Sequence, residues 1–241
     1  MVPRHKKDSR MSIDFKQETL DRSRSGGFDE TFETALIPYE KRLNQNPRWA
    51  MSEGSVFFED KGAVQQAMRR IAQRLDEINI AYAIVGGMAL FQHGYRRYTE
   101  DVDLLVTQDS IAIIHERLEG RGYLAPFSGS KNLRDTELGV KIEFLITGGF
   151  PGDGKPKPVS FPDPASIAIE MEGRKYIPLA TLIELKLASG MTSPHRLKDL
   201  ADVQEITKSL SLPIEFADQL DPYVQERFRE LWAPAEDGES P

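Results

Sequence analysis

Two carboxylates, Asp101 and Asp103, stand two residues apart in the run Asp-Val-Asp-Leu-Leu-Val. Alternation of side chains along a strand puts both on one side and sends Val102, Leu104 and Val106 to the other, into a core. Paired carboxylates on an apolar strand repel each other and resist burial as ions, a cost that a divalent cation removes. Upstream, Gly86 and Gly87 fall where the apolar stretch Ala81 to Val85 gives way to a helical pattern. Bare backbone at that junction can approach a ligand closely and turn N–H groups toward an anion at the helix N-terminus. An anion cradle beside a carboxylate pair is what holds a nucleoside triphosphate with Mg²⁺, which takes oxygen ligands from carboxylates and phosphates.

The elements that must position these groups are a strand over Ala81–Val85, a helix after the glycines, and a strand carrying the aspartates. Before them, Ala63, Met68, Ile71, Ala72, Leu75 and Ile78 recur at helical spacing between Gly62 and Ile78. After them, Asp109 to Glu119 predicts a helix with Asp109 or Ser110 as N-cap, stopped before Gly120 and Gly122. Val140–Ile146 predicts another strand, with Ile142, Phe144 and Ile146 on one face and Lys141, Glu143 and Leu145 on the other. Two short strands are expected within 165–178 about a turn at Glu172-Gly173-Arg174. From Leu179 onward the pattern is helical, through Leu182, Ile183, Leu185, Leu187 and Ala188, then Leu197, Leu200, Ala201, Val203, Ile206 and Leu210, with a last helix near Asp221–Leu231.

Gly86-Gly87, a short helix ending near His93-Gly94, and Arg96-Arg97-Tyr98-Thr99-Glu100-Asp101-Val102-Asp103-Leu104-Leu105-Val106 together resemble the signature of nucleotidyltransferases of the DNA polymerase β superfamily. The resemblance is strongest to the small prokaryotic branch that includes toxin-type nucleotidyltransferases of abortive-infection systems, and it spans roughly residues 62–210. It implies an α/β nucleotidyltransferase fold, with a short mixed β-sheet flanked by helices and a helical C-terminal portion. It also implies two metal ions, Mg²⁺ with Mn²⁺ as a substitute, held by Asp101 and Asp103 with a third acid on a neighbouring strand. Glu143 matches that third position by strand type and order, where the family usually has Asp; the other reading is a solvated Glu paired with Lys141 or Arg134. Leu-Ile-Glu-Leu-Lys-Leu-Ala-Ser-Gly and Arg196-Leu-Lys198-Asp199-Leu-Ala-Asp202 resemble the helical part of the same branch, which implies that Lys186 contacts the triphosphate. Met88 departs from the Ser that many members carry after the glycines.

Other residues are open to more than one reading. Arg96, Arg97 and Thr99 lie close enough in sequence to reach a nucleotide, yet the arginines equally suit a surface. Asp199 and Asp202, three apart on a helix, suit pairing with Arg196 and Lys198 or fastening this helix to the nucleotide-binding half. His93 suits a satisfied helix end. Gly149 to Lys155 fits the first seven positions of a P-loop, but Pro156 stands where the hydroxyl belongs, and Pro156 and Pro158 forbid the following helix. That loop can form a rim of the site, with Lys155 and Lys157 reaching a phosphate or an acceptor, or be a surface connection.

The chain has 241 residues, 39% hydrophobic and 29% charged, within the range of a globular protein. A net charge of −7 lacks the basic footprint of a non-specific nucleic-acid binder. No cysteine is present, which excludes thiol nucleophiles and cysteine-ligated zinc or iron–sulfur centres, and four histidines without a His-x-x-x-His pair argue against histidine-ligated zinc. No apolar run approaches the ~20 residues of a membrane span. The basic cluster Arg4, His5, Lys6, Lys7 and Arg10 reads as a disordered tail with no apolar signal region behind it, so a cytoplasmic protein is expected. The predicted organisation is an N-terminal extension over 1–55, partly disordered but with a helical patch over Phe28–Leu43; a nucleotidyltransferase core over 56–178; a helical portion over 179–233; and a disordered tail over 234–241.

The expected reaction is transfer of a nucleoside monophosphate from a triphosphate to a hydroxyl of a tRNA, a protein or a small molecule. The competing expectations are a catalytically silent nucleotide- or partner-binding protein that keeps the fold, and a toxin neutralised by an antitoxin partner.

Overall fold

A computed structural model describes residues 37–236. Within 37–58 two helices, α1 (Tyr39–Gln45) and α2 (Pro47–Phe58), precede α3 (Ala63–Glu77). The chain then forms β1 (Ala83–Ile84), α4 (Gly86–His93), β2 (Asp101–Val106), α5 (Gln108–Leu118), β3 (Tyr123–Leu124), β4 (Leu133–Asp135) and β5 (Lys141–Ile146). A short helix α6 (Pro164–Ile167), the hairpin β6 (Ile169–Met171) and β7 (Arg174–Tyr176), and helices α7 (Leu179–Thr192), α8 (Leu197–Ser209) and α9 (Pro222–Glu236) complete it.

The strands make one mixed seven-stranded sheet in the order β3-β4-β5-β2-β1-β7-β6. At its centre β2 and β5 run parallel over six residues in register, Asp101 opposite Lys141 and Asp103 opposite Glu143. Strand alternation divides the pair as its sequence dictates. Val102, Leu104, Ile142 and Phe144 are completely buried, while the charged set occupies the other face. β1 lies antiparallel to β2 and parallel to β7, which sets the start of α4 beside the charged end of β2.

Helix α3 buries Val64, Ala67, Met68, Ile71 and Leu75 at spacings of three and four. Its first turn is capped from a distance by Glu53 of α2, which accepts from Ala63 N–H at 2.5 Å. The same carboxylate accepts from the Tyr39 hydroxyl at 3.2 Å, and Tyr39 and Tyr98 hydroxyls are hydrogen-bonded to each other. Glu40 takes both arms of Arg134, at 2.8 and 2.9 Å. The part of the predicted extension from Tyr39 onward is thereby packed on the core, with Tyr39 only 1% exposed. The rest of the helical patch over 28–43, the basic cluster and the final tail after 236 lie outside the described residues.

Several local expectations need correction. The N-cap of α5 is Thr107, whose hydroxyl accepts from Ser110 N–H at 3.3 Å, rather than Asp109 or Ser110. Of the strand expected over Ala81–Val85, only Ala83–Ile84 is ladder-paired, to Leu105 and Leu104 of β2 and, at Ile84, to Tyr176 of β7. Strand pairing within 165–178 begins at Ile169; Ser166 and Ile167 instead form a helical turn capped by Asp163, which accepts from Ala165 N–H at 2.9 Å. The turn falls where the sequence placed it: Glu172 and Gly173 both have positive φ, 51° and 72°, the pattern of a two-residue hairpin turn. β3 and β4 carried no clear periodic signal, being two and three residues long.

Candidate active-site cleft

The charged face of β2 and β5 is the floor of a cleft of about 300 Å³. Eight of the residues considered for chemistry line it: Gly86, Gly87, Arg97, Thr99, Asp101, Asp103, Glu143 and Lys186. Asp101, Asp103 and Glu143 each offer a carboxylate oxygen within 4.8 Å of the other two. Three hard oxygen donors so gathered suit Mg²⁺ or Mn²⁺, and among the described residues no nitrogen or sulfur ligand joins the group, which disfavours softer metals. Thr99 donates to Asp101 Oδ1 at 2.8 Å, fixing that carboxylate. Burial, and then the neighbouring Asp101 charge, push the Asp103 pKa up to about 7 against the opposing pull of Lys186, Arg196 and Arg97. A carboxyl held protonated near neutrality by its surroundings is a group whose charge lacks a cation.

The glycines serve the carboxylates as well as any ligand. A Cβ on Gly86 would stand 1.9 Å from Asp103 Oδ2, and one on Gly87 would stand 2.7 Å from Thr99 Cβ. Gly86 has φ +61°, a left-handed conformation that other residues adopt at a cost. β2 therefore sits directly against the start of α4 because neither glycine has a side chain.

The opposite wall comes from α7 and α8. Lys186 is 6% exposed and donates to Asp199 Oδ1 at 2.9 Å and Asp202 Oδ2 at 2.6 Å. Asp202 is also gripped by Arg97, whose Nη2 lies 2.9 Å from Oδ2 and whose Nε lies 2.7 Å from Oδ1. Burial works against the Asp199 carboxylate, but Lys186 and a 2.7 Å bond from Ser189 outweigh it and hold its pKa below the usual range. Asp202 thus joins the helical wall to the segment preceding β2, the fastening role anticipated for this helix, while neither aspartate pairs with Arg196 or Lys198.

The remaining expectations separate cleanly. Arg97 lies in the cleft, and Arg96 is exposed over the Phe91 ring, 5.2 Å from its centroid. His93 Nε2 is 2.8 Å from the Ile177 carbonyl oxygen, at the helix end. Pro151 and Gly152 of the Gly/Pro loop form a rim of the cleft. Lys157 does not line it: its ammonium donates to Pro151 O and Asp153 at 2.6 Å and to Thr192 at 3.3 Å, pinning the loop to α7. Lys155 is exposed. Glu143 meets both of its readings, hydrogen-bonded to Lys141 and gathered with the aspartates. Leu145 lines the cleft from the face it shares with Glu143, and Phe161, Leu182, Leu185, Ser189 and His195, which no sequence pattern marked for the site, line it too. Phe161 arrives there through reciprocal backbone bonds with Gly148 and Gly149, each 2.8 Å, a pairing that no periodicity announces.

No family model matches the chain, and no curated protein matches it. Among solved structures it is similar to ANT(2″)-Ia in complex with adenylyl-2″-tobramycin, at 15% identity over 68% of this chain and 96% of that one, with a TM-score of 0.45. A solution structure of the antibiotic-resistance factor ANT(2″)-Ia gives 16% identity, 70% and 93% coverage and the same TM-score, 0.45. A provisionally assigned nucleotidyltransferase from H. pylori gives 16% identity, 71% and 91% coverage and a TM-score of 0.39. These are likenesses of chain outline, and the functional reading rests on the cleft.

Proposed function

We propose that the chain is a metal-dependent nucleotidyltransferase of the DNA polymerase β type, moving a nucleoside monophosphate from a triphosphate to an acceptor hydroxyl and releasing pyrophosphate. The observation that carries this reading is the gathering of Asp101, Asp103 and Glu143 from two adjacent parallel strands against the glycine start of α4. Asp101 and Asp103, with Glu143, would hold divalent ions; such ions lower the pKa of a hydroxyl and neutralise charge on the phosphates. Gly86 and Gly87 bring backbone to the phosphates, Thr99 orients Asp101, and Lys186 presents a cation from the opposite wall. Glu143 accepts the proton of the attacking hydroxyl. The acceptor belongs to a tRNA, a protein or a small molecule.

Calorimetric titration of each nucleoside triphosphate with Mg²⁺ into wild type and Asp101→Asn/Asp103→Asn tests the reading. Metal-dependent binding that vanishes in the double variant supports it, and the tightest triphosphate names the donor. Absence of triphosphate binding to folded wild type would sink it in favour of a silent descendant of the fold. If the enzyme is the toxic half of a toxin–antitoxin pair, expression arrests growth and Asp103→Asn abolishes the arrest.

A further inference from the structure

Between α4 and β2 the chain runs through Arg97, Tyr98 and Thr99 with no helix or strand to hold it. Among the described residues no backbone-to-backbone hydrogen bond joins 96–99 to the rest of the fold. The place of Thr99, and with it the aim of the Asp101 carboxylate that Thr99 holds at 2.8 Å, therefore depends on side chains. Arg97 and Thr99 line the cleft, and Arg97 is tied to Asp202. Tyr98 turns to the N-terminal helices instead. Its ring packs on Phe57 of α2, 4.7 Å between centroids, and its hydroxyl is hydrogen-bonded to that of Tyr39 in α1.

The direction of these bonds follows from the protons available. Tyr39 has one hydroxyl proton and donates it to Glu53 Oε1 at 3.2 Å, so the Tyr98 hydroxyl is the donor to Tyr39. Glu53 Oε1 also accepts from Ala63 N–H at 2.5 Å, which seats the end of this relay on the first turn of α3. Tyr39 and Glu53 are 1% and 8% exposed, so the anchor is a buried one. We propose that Tyr98 is a positioning residue for the carboxylate site: anchored through Tyr39 to Glu53, it holds the 96–99 segment so that Thr99 keeps Asp101 aimed into the cleft. Helices α1 and α2 are then the backing of the site as well as a cover for the core. This inference rests on the reading of Asp101 as a metal ligand.

Titration of Mn²⁺, read by electron paramagnetic resonance of the free ion, tests it in wild type, Tyr98→Phe, Thr99→Val and the double variant, with melting in chelator to check that each is folded. Tyr98→Phe keeps the ring on Phe57 and removes only the hydroxyl. Each single variant is expected to bind Mn²⁺ about three- to tenfold more weakly, as loss of one orienting hydrogen bond implies. The double variant should bind no more weakly than Thr99→Val, because Tyr98 acts through Thr99. Tyr39→Phe, which breaks the relay from its other side, should match Tyr98→Phe. Glu40→Gln loosens the hold of Arg134 on α1 without touching the tyrosines, and should lower the melting temperature while Mn²⁺ binding stays as in wild type. Wild-type affinity in Tyr98→Phe and Tyr39→Phe, additive losses in the double variant, or an equal loss in Glu40→Gln overturns the positioning role and leaves the metal site standing. Undiminished Mn²⁺ binding by Asp101→Asn/Asp103→Asn overturns the metal site itself.

Discussion

Gly86 and Asp103 define each other. The aspartate occupies the space where any side chain at position 86 would begin, and the glycine holds a backbone angle that an L side chain resists. Gly86→Ala is therefore expected to lose about 2–4 kcal/mol of stability, from left-handed strain plus the collision with Asp103, and to lose metal binding with it. Urea denaturation and Mn²⁺ titration measure the two effects. Asp103 also sets a pH dependence. Its pKa in the fold, about 7, lies above the 3.8 of an unperturbed Asp, so the folded state keeps a proton that the unfolded chain releases. Its contribution to stability is fully present below about pH 4 and is lost as pH rises toward 7. In chelator, then, the melting temperature of wild type should fall between pH 5 and 8 relative to Asp103→Asn, and Mg²⁺ should restore part of it. Below pH 7 divalent-ion affinity should rise by about tenfold per pH unit as the ion displaces that proton, levelling above it. A flat affinity profile would contradict the assignment of Asp103 as a ligand.

Helix α8 is fastened by one carboxylate in addition to its buried apolar face, Leu200, Val203 and Ile206. Asp202 is 2% exposed and is bound by Lys186 of α7 and by Arg97 from the segment before β2. Removing a buried partner leaves charge uncompensated, so Asp202→Ala is expected to cost about 3–5 kcal/mol. Asp199→Ala should cost less, because its side chain is 16% exposed and Lys186 keeps Asp202. Chemical denaturation of the two variants checks the order; a reversed order would move the junction to Asp199. Close approach also shapes this pair of helices, since a Cβ on Gly190 would fall 2.5 Å from Leu200 Cγ. The sequence announced both helices by their apolar spacing, and the fastening role of Asp202 was open to inference because an Asp amid apolar neighbours needs a partner. Which arginine would supply it was not legible, since Arg96 and Arg97 differ only in which side of an irregular segment each one takes.

On the scale of the molecule, the sheet and the helical portion share one core. Leu182, Ile183, Leu187, Val203, Ile206 and Phe228 belong to the same buried cluster as Ile84, Leu104 and Phe144, and Tyr39 and Phe57 join it from the N-terminal helices. We accordingly expect a single cooperative thermal transition in scanning calorimetry, rather than separate melting of a core over 56–178 and a helical portion over 179–233. Two resolved transitions would make the helical wall an independent unit, able to move relative to the carboxylates. Among the described residues no helix is long and apolar enough to cross a membrane.

Alternation along β2 and β5 depends only on which residue follows which. For that reason the sequence by itself determined that Asp101 and Asp103 share a side, that Glu143 and Lys141 share a side, and that the apolar residues between them point into a core. Helical spacing likewise determined α3, α7 and α8. What only the tertiary structure decided is which faces meet: that β5 lies beside β2 in register, so that Glu143 completes the carboxylate group, and that Lys186 is answered by Asp199 and Asp202. It also decided that the Gly/Pro loop folds back to bring Phe161 to the cleft while Lys157 turns away. These are contacts between segments distant along the chain. They depend on sheet order and on space-filling at Gly86, Gly87 and Gly190, which local sequence patterns do not encode.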